Sequence, residues 1–178
     1  ARDYAEITFH KFADELEAKD QAGQYAFGAA ENEKHRVTWE GIAVWTYLGA
    51  TFKGLKNQGS VMTGSAYPGL WSLVYTPGDL ESMAEAYTNV YINTCGSNRY
   101  EEFYKVVSNS KSDGIVLHLN RSCKLMGLLN NEGAEYVNAK MGVPFVSFDG
   151  DQTDPRVFTQ AQYETRVQAL SEMMDNNN

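Results

Sequence analysis

The chain has 178 residues, 43% of them hydrophobic and 21% charged, and a formal net charge of −8. That length buries the core of one α/β domain of ordinary size, and the composition is that of a globular protein with no apolar run long enough to span a bilayer. The 15 Lys and Arg residues are scattered through an acidic chain, which argues against a nucleic-acid surface. Two cysteines make no disulfide scaffold, so a reducing cytoplasm is the expected location.

In chain order, "DYAEITFHKFADELEAK" places Tyr4, Ile7, Ala13 and Leu16 on roughly one helical face, and "DQAGQYAFGAA" interrupts that pattern with glycines. Residues 1–34 therefore read as a helical connecting segment. The chain opens inside this helix and without a methionine, which reads as a piece of a longer protein. Next come a strand at "RVTWE", a helix through "TYLGATFKGLKNQG" and a second short strand at "SVMTG" that runs into the turn-rich "SAYPG". "GDLESMAEAYTN" begins with an Asp79 cap and continues as helix, and "SNRYEEFYKVVSNSK" repeats that logic from Ser97.

"DGIVLHL" is the clearest strand: short, apolar and bounded by Asp113 and Asn120. A single helix is expected through "SCKLMGLLNNEGAEYVNAK". "VPFVSFD" is the last strand, and the final helix carries Tyr163, Val167, Leu170 and Met174 on one face. Strands too apolar to have a wet face, alternating with helices over 35–178, predict a four-stranded parallel sheet covered on both sides. The expected fold is a flavodoxin-like or Rossmann-like doubly wound three-layer sandwich. In such sheets ligands bind off the carboxyl ends of the strands, where the strand order reverses.

Four stretches fall at those ends: residues 40–45, 64–69, 118–124 and 149–156. The second offers Ser65 and Tyr67 on a loop framed by glycine and proline. The fourth, "DGDQTDPR", has carboxylates at Asp149, Asp151 and Asp154 that miss the spacing of a calcium loop and read as a loop scaffold with Arg156. In the third, Cys123 falls in the first turn of the expected helix, beside Arg121 and Lys124, where free N–H groups and the helix dipole favour a thiolate. Three readings are open for it: a small buried hydrophobe, a nucleophile with His118 as base, or a metal ligand. Cys95 reads as structural.

"DGIVLHLNRSCKLM", followed by "VPFVSFDGDQTDPRVFTQAQYETRVQALSEMM", resembles the C-terminal part of subunits of the 2-hydroxyacyl-CoA dehydratase and benzoyl-CoA reductase family. "HRVTWEGIAVW", "MTGSAYPGLW" and "MAEAYTNVYINTC" extend the likeness over nearly the whole chain, and "EGIAVW" and "NRSCKLM" are most similar to the alpha-type subunit of the 2-hydroxyglutaryl-CoA dehydratase branch. The run "GLLNNEGAEYVNAKMG" departs from the usual pattern.

The resemblance implies radical dehydration of an (R)-2-hydroxyacyl-CoA to the 2-enoyl-CoA through a ketyl radical anion. A separate ATP-dependent iron–sulfur activator supplies the electron, and a second subunit completes a heterodimer. Cys123 matches a ligand of the family's [4Fe–4S] cluster, whose other ligands lie outside this chain, so the piece alone is expected to be inactive. At the strand-end edge Glu40, Ser65 and His118 are expected catalytic residues, and Ser65, Tyr67, Asn120, Arg121 and Lys124 expected substrate contacts; the equal alternatives are a strand-end cap for Glu40, a turn hydroxyl for Ser65 and satisfied polar groups for His118 and Asn120. The other readings are a benzoyl-CoA reductase-like or electron-transfer member of the family, and a non-catalytic assembly domain whose cysteine only packs.

Overall fold

The computed structural model describes residues 2–28 and 30–177. The chain divides into two compact units, Ala1–Lys34 and His35–Asn178. The first contains helix α1 (Arg2–Gln21) and a 3₁₀ turn at Ala30–Asn32. On α1 the residues that make the apolar pattern, Tyr4, Ile7 and Leu16, are all exposed.

The second unit is built on four strands: β1 (His35–Glu40), β2 (Ser60–Ser65), β3 (Gly114–Asn120) and β4 (Phe145–Gly150). All pairings are parallel and the order is β2-β1-β3-β4. Between β1 and β2 runs α2 (Leu48–Asn57); between β2 and β3 run α3 (Leu80–Thr88) and α4 (Gly96–Asn109). One-turn α5 (Lys124–Gly127) and α6 (Asn130–Met141) lead into β4, and α7 (Gln160–Asn177) closes the chain.

Alternation along the strands divides the core into two layers, because successive side chains of a strand point to opposite faces. Val37, Trp39, Val116 and Phe148 pack with Leu55 of α2 and with Tyr163, Val167, Leu170 and Met174 of α7. Ile115 and Leu117 point the other way, onto Phe103 and Val107 of α4 and Ala134 and Val137 of α6. Both faces of the sheet are thus covered, which is why β3 reads as a continuous apolar run. As expected, the sheet is doubly wound: the chain leaves β1 to one side to make β2, then crosses back to place β3 on the other. The reversal point lies between β1 and β3, so the residues beyond Glu40 and Asn120 occupy the crevice where such folds hold ligands.

The element order matches the sequence expectation with two local differences. The single helix expected over 122–140 is broken at 128–129, leaving the four-residue α5 ahead of α6. Helix α4 starts at Gly96 with Cys95, not Ser97, in the cap position. At α3 the Asp79 carboxylate accepts from the backbone N–H groups of Glu81 and Ser82, as its sequence position predicts.

Candidate functional site

Residues 120–124 make the turn that carries chemistry at the carboxyl edge of β3. Asn120 is buried; its side-chain oxygen accepts from the Ser122 N–H at 3.2 Å and its carbonyl from the Cys123 N–H at 3.2 Å. Its amide nitrogen donates to Gln152 at 3.2 Å. The Arg121 N–H donates to the carbonyl of Gly150, and the Arg121 guanidinium pairs with Asp149 at 3.2 Å on the exposed surface. Ser122 donates its hydroxyl to the Asp151 carboxylate, which also accepts from the N–H groups of Thr153 and Asp154 at 2.9 Å each. These donors, the Ser122 hydroxyl first, hold the Asp151 carboxyl well below the usual range. The acidic loop is thus a scaffold tying the ends of β3 and β4 together, while Asp154 makes a paired contact with Arg156 beside it.

Cys123 occupies the cap position of α5, half-buried against the α4 and α6 layer. The expected thiolate support is reduced, because α5 is a single turn rather than the head of a long helix and carries few aligned peptide dipoles. Lys124 is exposed beside it.

The nucleophile reading required His118 near this thiol, and the structure separates them. His118 points into the other layer, where its ring stacks on Phe148 with centroids 5.1 Å apart, and it is fully buried. Its Nδ1 meets the carbonyl of Ile42, Nε2 has no hydrogen-bond partner among the described residues, and burial pushes its pKa below the ordinary value. Two glycines make room for the ring and its backbone. Gly41 has φ +104°, and a Cβ there would lie 2.6 Å from the His118 carbonyl oxygen; a Cβ on Gly150 would lie 2.5 Å from Nε2. His118 is a neutral core residue and is not placed to deprotonate Cys123.

Glu40 points into the same layer as Cys123. It is fully buried, and burial raises its pKa to about 7 against the opposing pull of the Tyr91 hydroxyl and the Arg99 guanidinium. Tyr91 donates its hydroxyl to Oε1 at 2.9 Å, Arg99 Nη2 lies 4.0 Å from the same oxygen, and Oε2 has no hydrogen-bond partner among the described residues. Arg99 in turn donates to the carbonyls of Leu125 (2.6 Å) and Met126 (3.2 Å) and to the Asn130 side chain (2.8 Å), with its guanidinium 4.8 Å over the Tyr91 ring. Sequence reasoning missed Arg99, Tyr91 and Asn130. A signal was present, since Arg99, Phe103 and Val107 share the i, i+4, i+8 register of the buried face of α4.

Ser65 accepts from the Tyr67 N–H at 3.3 Å, a turn-forming bond, and both residues line a cleft of about 250 Å³ with Trp39, Trp45, Phe52 and Met62. Cys95, read as structural, is exposed, and the Ser97 hydroxyl at 3.3 Å helps to hold its thiol below the usual pKa.

Among the described residues no group of three or more His, Cys, Asp or Glu side chains is assembled to hold a metal ion. Cys123 is half-buried, with its backbone fixed from both sides, and so fits a metal group as one thiol donor whose companions come from elsewhere. No helix among the described residues is long and apolar enough to cross a membrane.

Residues 1–174 match the family model described as 2-hydroxyglutaryl-CoA dehydratase, D-component. The chain is 60% identical over 177 residues to the lactoyl-CoA dehydratase subunit alpha of Anaerotignum propionicum, covering 98% of this chain and 42% of that protein. It is 43% identical to the (R)-2-hydroxyisocaproyl-CoA dehydratase alpha subunit of Clostridioides difficile, over 94% of this chain and 40% of the relative. Identity to the (R)-2-hydroxyglutaryl-CoA dehydratase subunit alpha of Acidaminococcus fermentans is 37%, over 95% and 35%. The chain therefore spans about two fifths of the length of these relatives.

Proposed function

Because the chain belongs to the 2-hydroxyglutaryl-CoA dehydratase D-component family, we propose that it works within an alpha-type subunit of an (R)-2-hydroxyacyl-CoA dehydratase, a hydro-lyase, and that Cys123 is one ligand of a [4Fe–4S] cluster. The observation that carries this reading is the placement of Cys123: a half-buried thiol at the strand-order reversal, on a turn whose backbone is pinned by Asn120 and by the Asp151 loop. When bound, such a cluster supplies one-electron chemistry and an iron open to a substrate oxygen.

The chain's own residues divide the remaining work. Cys123 would hold the iron, and Asn120, Ser122 and Asp151 fix its turn. Lys124, and Arg121 where it is not engaged by Asp149, present positive charge at the exposed edge, suited to an anionic acyl-CoA. Ser65 and Tyr67, which line the apolar cleft, are assigned to contact with the acyl or pantetheine portion. Glu40 and His118 are wholly buried and act by shaping the edge from within. The reaction removes water from the 2-hydroxyacyl-CoA to give the 2-enoyl-CoA, with a second subunit and an ATP-dependent iron–sulfur activator as partners.

Identity of 60% to a lactoyl-CoA enzyme and 37% to a 2-hydroxyglutaryl-CoA enzyme favours a small uncharged acyl group over the dicarboxylic one. Anaerobic reconstitution of the full-length subunit with its partner tests the ligand assignment by iron content and electron paramagnetic resonance. Cys123→Ser is expected to lose the [4Fe–4S] signal, and an unchanged signal sinks the assignment. Turnover of (R)-lactoyl-CoA and (R)-2-hydroxyglutaryl-CoA by the activated complex tests the substrate; preference for the latter overturns that part.

A further inference from the structure

We propose that Arg99 is a positioning residue for the Cys123 turn, holding the one-turn helix that follows the thiol; this rests on the reading of Cys123 as a metal ligand. Upstream, the turn is anchored by Asn120 and by the Ser122 to Asp151 bond. Downstream, α5 has only four residues, too short to persist by itself, and no side chain caps its start. Leu125 and Leu128 on its flank are 60% and 68% exposed, so little packing holds it apart from Met126.

Arg99 supplies what is missing. Its guanidinium reaches two carbonyls of α5 and the Asn130 side chain at the start of α6, and so fastens both helices to α4. The carbonyls of so short a helix lack most of their intrahelical partners, and the guanidinium satisfies two of them. The guanidinium is itself held in place by the Tyr91 ring and by Glu40 at the end of β1. No other side chain presents a planar fork of five donors, and lysine offers a single point charge. The position of the Cys123 thiol relative to β1 therefore depends on Arg99.

The test compares Arg99→Met and Arg99→Lys with Val107→Ala, a cavity-forming change in the fully buried face of the same helix, in the full-length subunit assembled with its partner. Amide hydrogen exchange of 123–128 and iron retention against a chelator are measured for each. Arg99→Met is expected to speed exchange in 123–128 selectively and to weaken iron retention by about 10–100-fold, the scale on which partners of metal ligands act. Arg99→Lys is expected to fall between it and the wild type, and it decides the matter if Arg99→Met does not assemble. Exchange and retention equal to those of Val107→Ala overturn the proposal. Cys123→Ser separates the two ideas: full iron in that variant refutes the ligand reading, whereas the exchange of 123–128 needs no iron and judges Arg99 independently.

Discussion

Arg99 Nη2 and Glu40 Oε1 stand 4.0 Å apart with side chains 3% and 0% exposed, a buried charged contact at the point where the strand order reverses. The pair is completed by the Tyr91 hydroxyl, and burial still holds Glu40 at about 7, above the ordinary carboxyl value of 4.5. A carboxyl with a raised folded pKa binds protons more tightly in the native state. Its contribution is therefore a loss of stability as pH rises from about 4.5 to 7. Glu40→Gln keeps an acceptor for Tyr91 and removes the titration, so the variant's urea-unfolding free energy should fall less across that window than the wild type's. Parallel slopes exclude Glu40 as the source.

Removing the cation is the harsher change. Arg99→Met leaves the Leu125 and Met126 carbonyls and Asn130 Oδ1 without their donor and leaves Glu40 as a buried carboxyl without a cation. Each buried acceptor left without its donor costs about 1–3 kcal/mol, and Glu40, whose pKa already stands at about 7, takes up a proton rather than remaining as a bare charge. Chemical unfolding at pH 7 should show that loss for Arg99→Met and a clearly smaller one for Glu40→Gln, since Arg99 keeps its acceptors on Leu125, Met126 and Asn130 and Glu40 is already partly protonated at that pH.

Most of the architecture was legible from the sequence, and the reasons are particular. "GIVLHL" is apolar on both faces because Ile115 and Leu117 meet α4 and α6 while Val116 meets α2 and α7. Alternating spacings of four and three residues exposed the buried face of α7 through Tyr163, Val167, Leu170 and Met174. The break between α5 and α6 was not legible, since neither Leu128 nor Leu129 is a helix breaker and the bonds that flank it, from Arg99 to the Leu125 carbonyl and to the Asn130 side chain, are tertiary. Period-two alternation puts His118 on the opposite face from Ile115 and Leu117, but proximity in sequence to Cys123 suggested a shared loop. The Glu40 site needed three distant segments to be brought together, which no local pattern records.

His118 should behave as a core histidine. Its folded pKa is depressed by burial, so it adds stability above its unfolded value of about 6.5, and that stability is lost as pH falls below it. Nitrogen-15 chemical shifts of the imidazole should report the neutral ring, protonated on Nδ1 toward the Ile42 carbonyl, throughout the neutral range. The rate of Cys123 alkylation should not change in His118→Gln, because the two side chains face opposite layers. A drop in that rate restores the nucleophile and base pairing.

Asp151 works in the opposite pH direction. Its carboxyl is held low by the Ser122 hydroxyl and two backbone N–H groups, so the stability it adds is present above its unfolded value of about 3.8 and is lost as pH falls toward the lower folded value. Asp151→Asn keeps the shape but weakens the acceptor. Acid unfolding followed by circular dichroism should shift to higher pH in the variant, and faster amide exchange should appear at Ser122 and Cys123. A wild-type acid midpoint contradicts the anchoring role.

Gly41→Ala and Gly150→Ala test how tightly the His118 segment is enclosed. At Gly41 the new Cβ lies 2.6 Å from the His118 carbonyl oxygen and the residue must also hold φ at +104°, so backbone strain and steric overlap act together. Strain of that kind costs on the order of 1–3 kcal/mol. At Gly150 the backbone is unconstrained in φ, and the Cβ would instead meet His118 Nε2 at 2.5 Å, within a ring fixed by Phe148 and Ile42. His118→Ala should therefore rescue part of the Gly150→Ala defect in a double-mutant cycle, while leaving the Gly41→Ala defect intact, because Gly41 meets the histidine backbone. Equal rescue at both positions contradicts this account of how β1, β3 and β4 close around the ring.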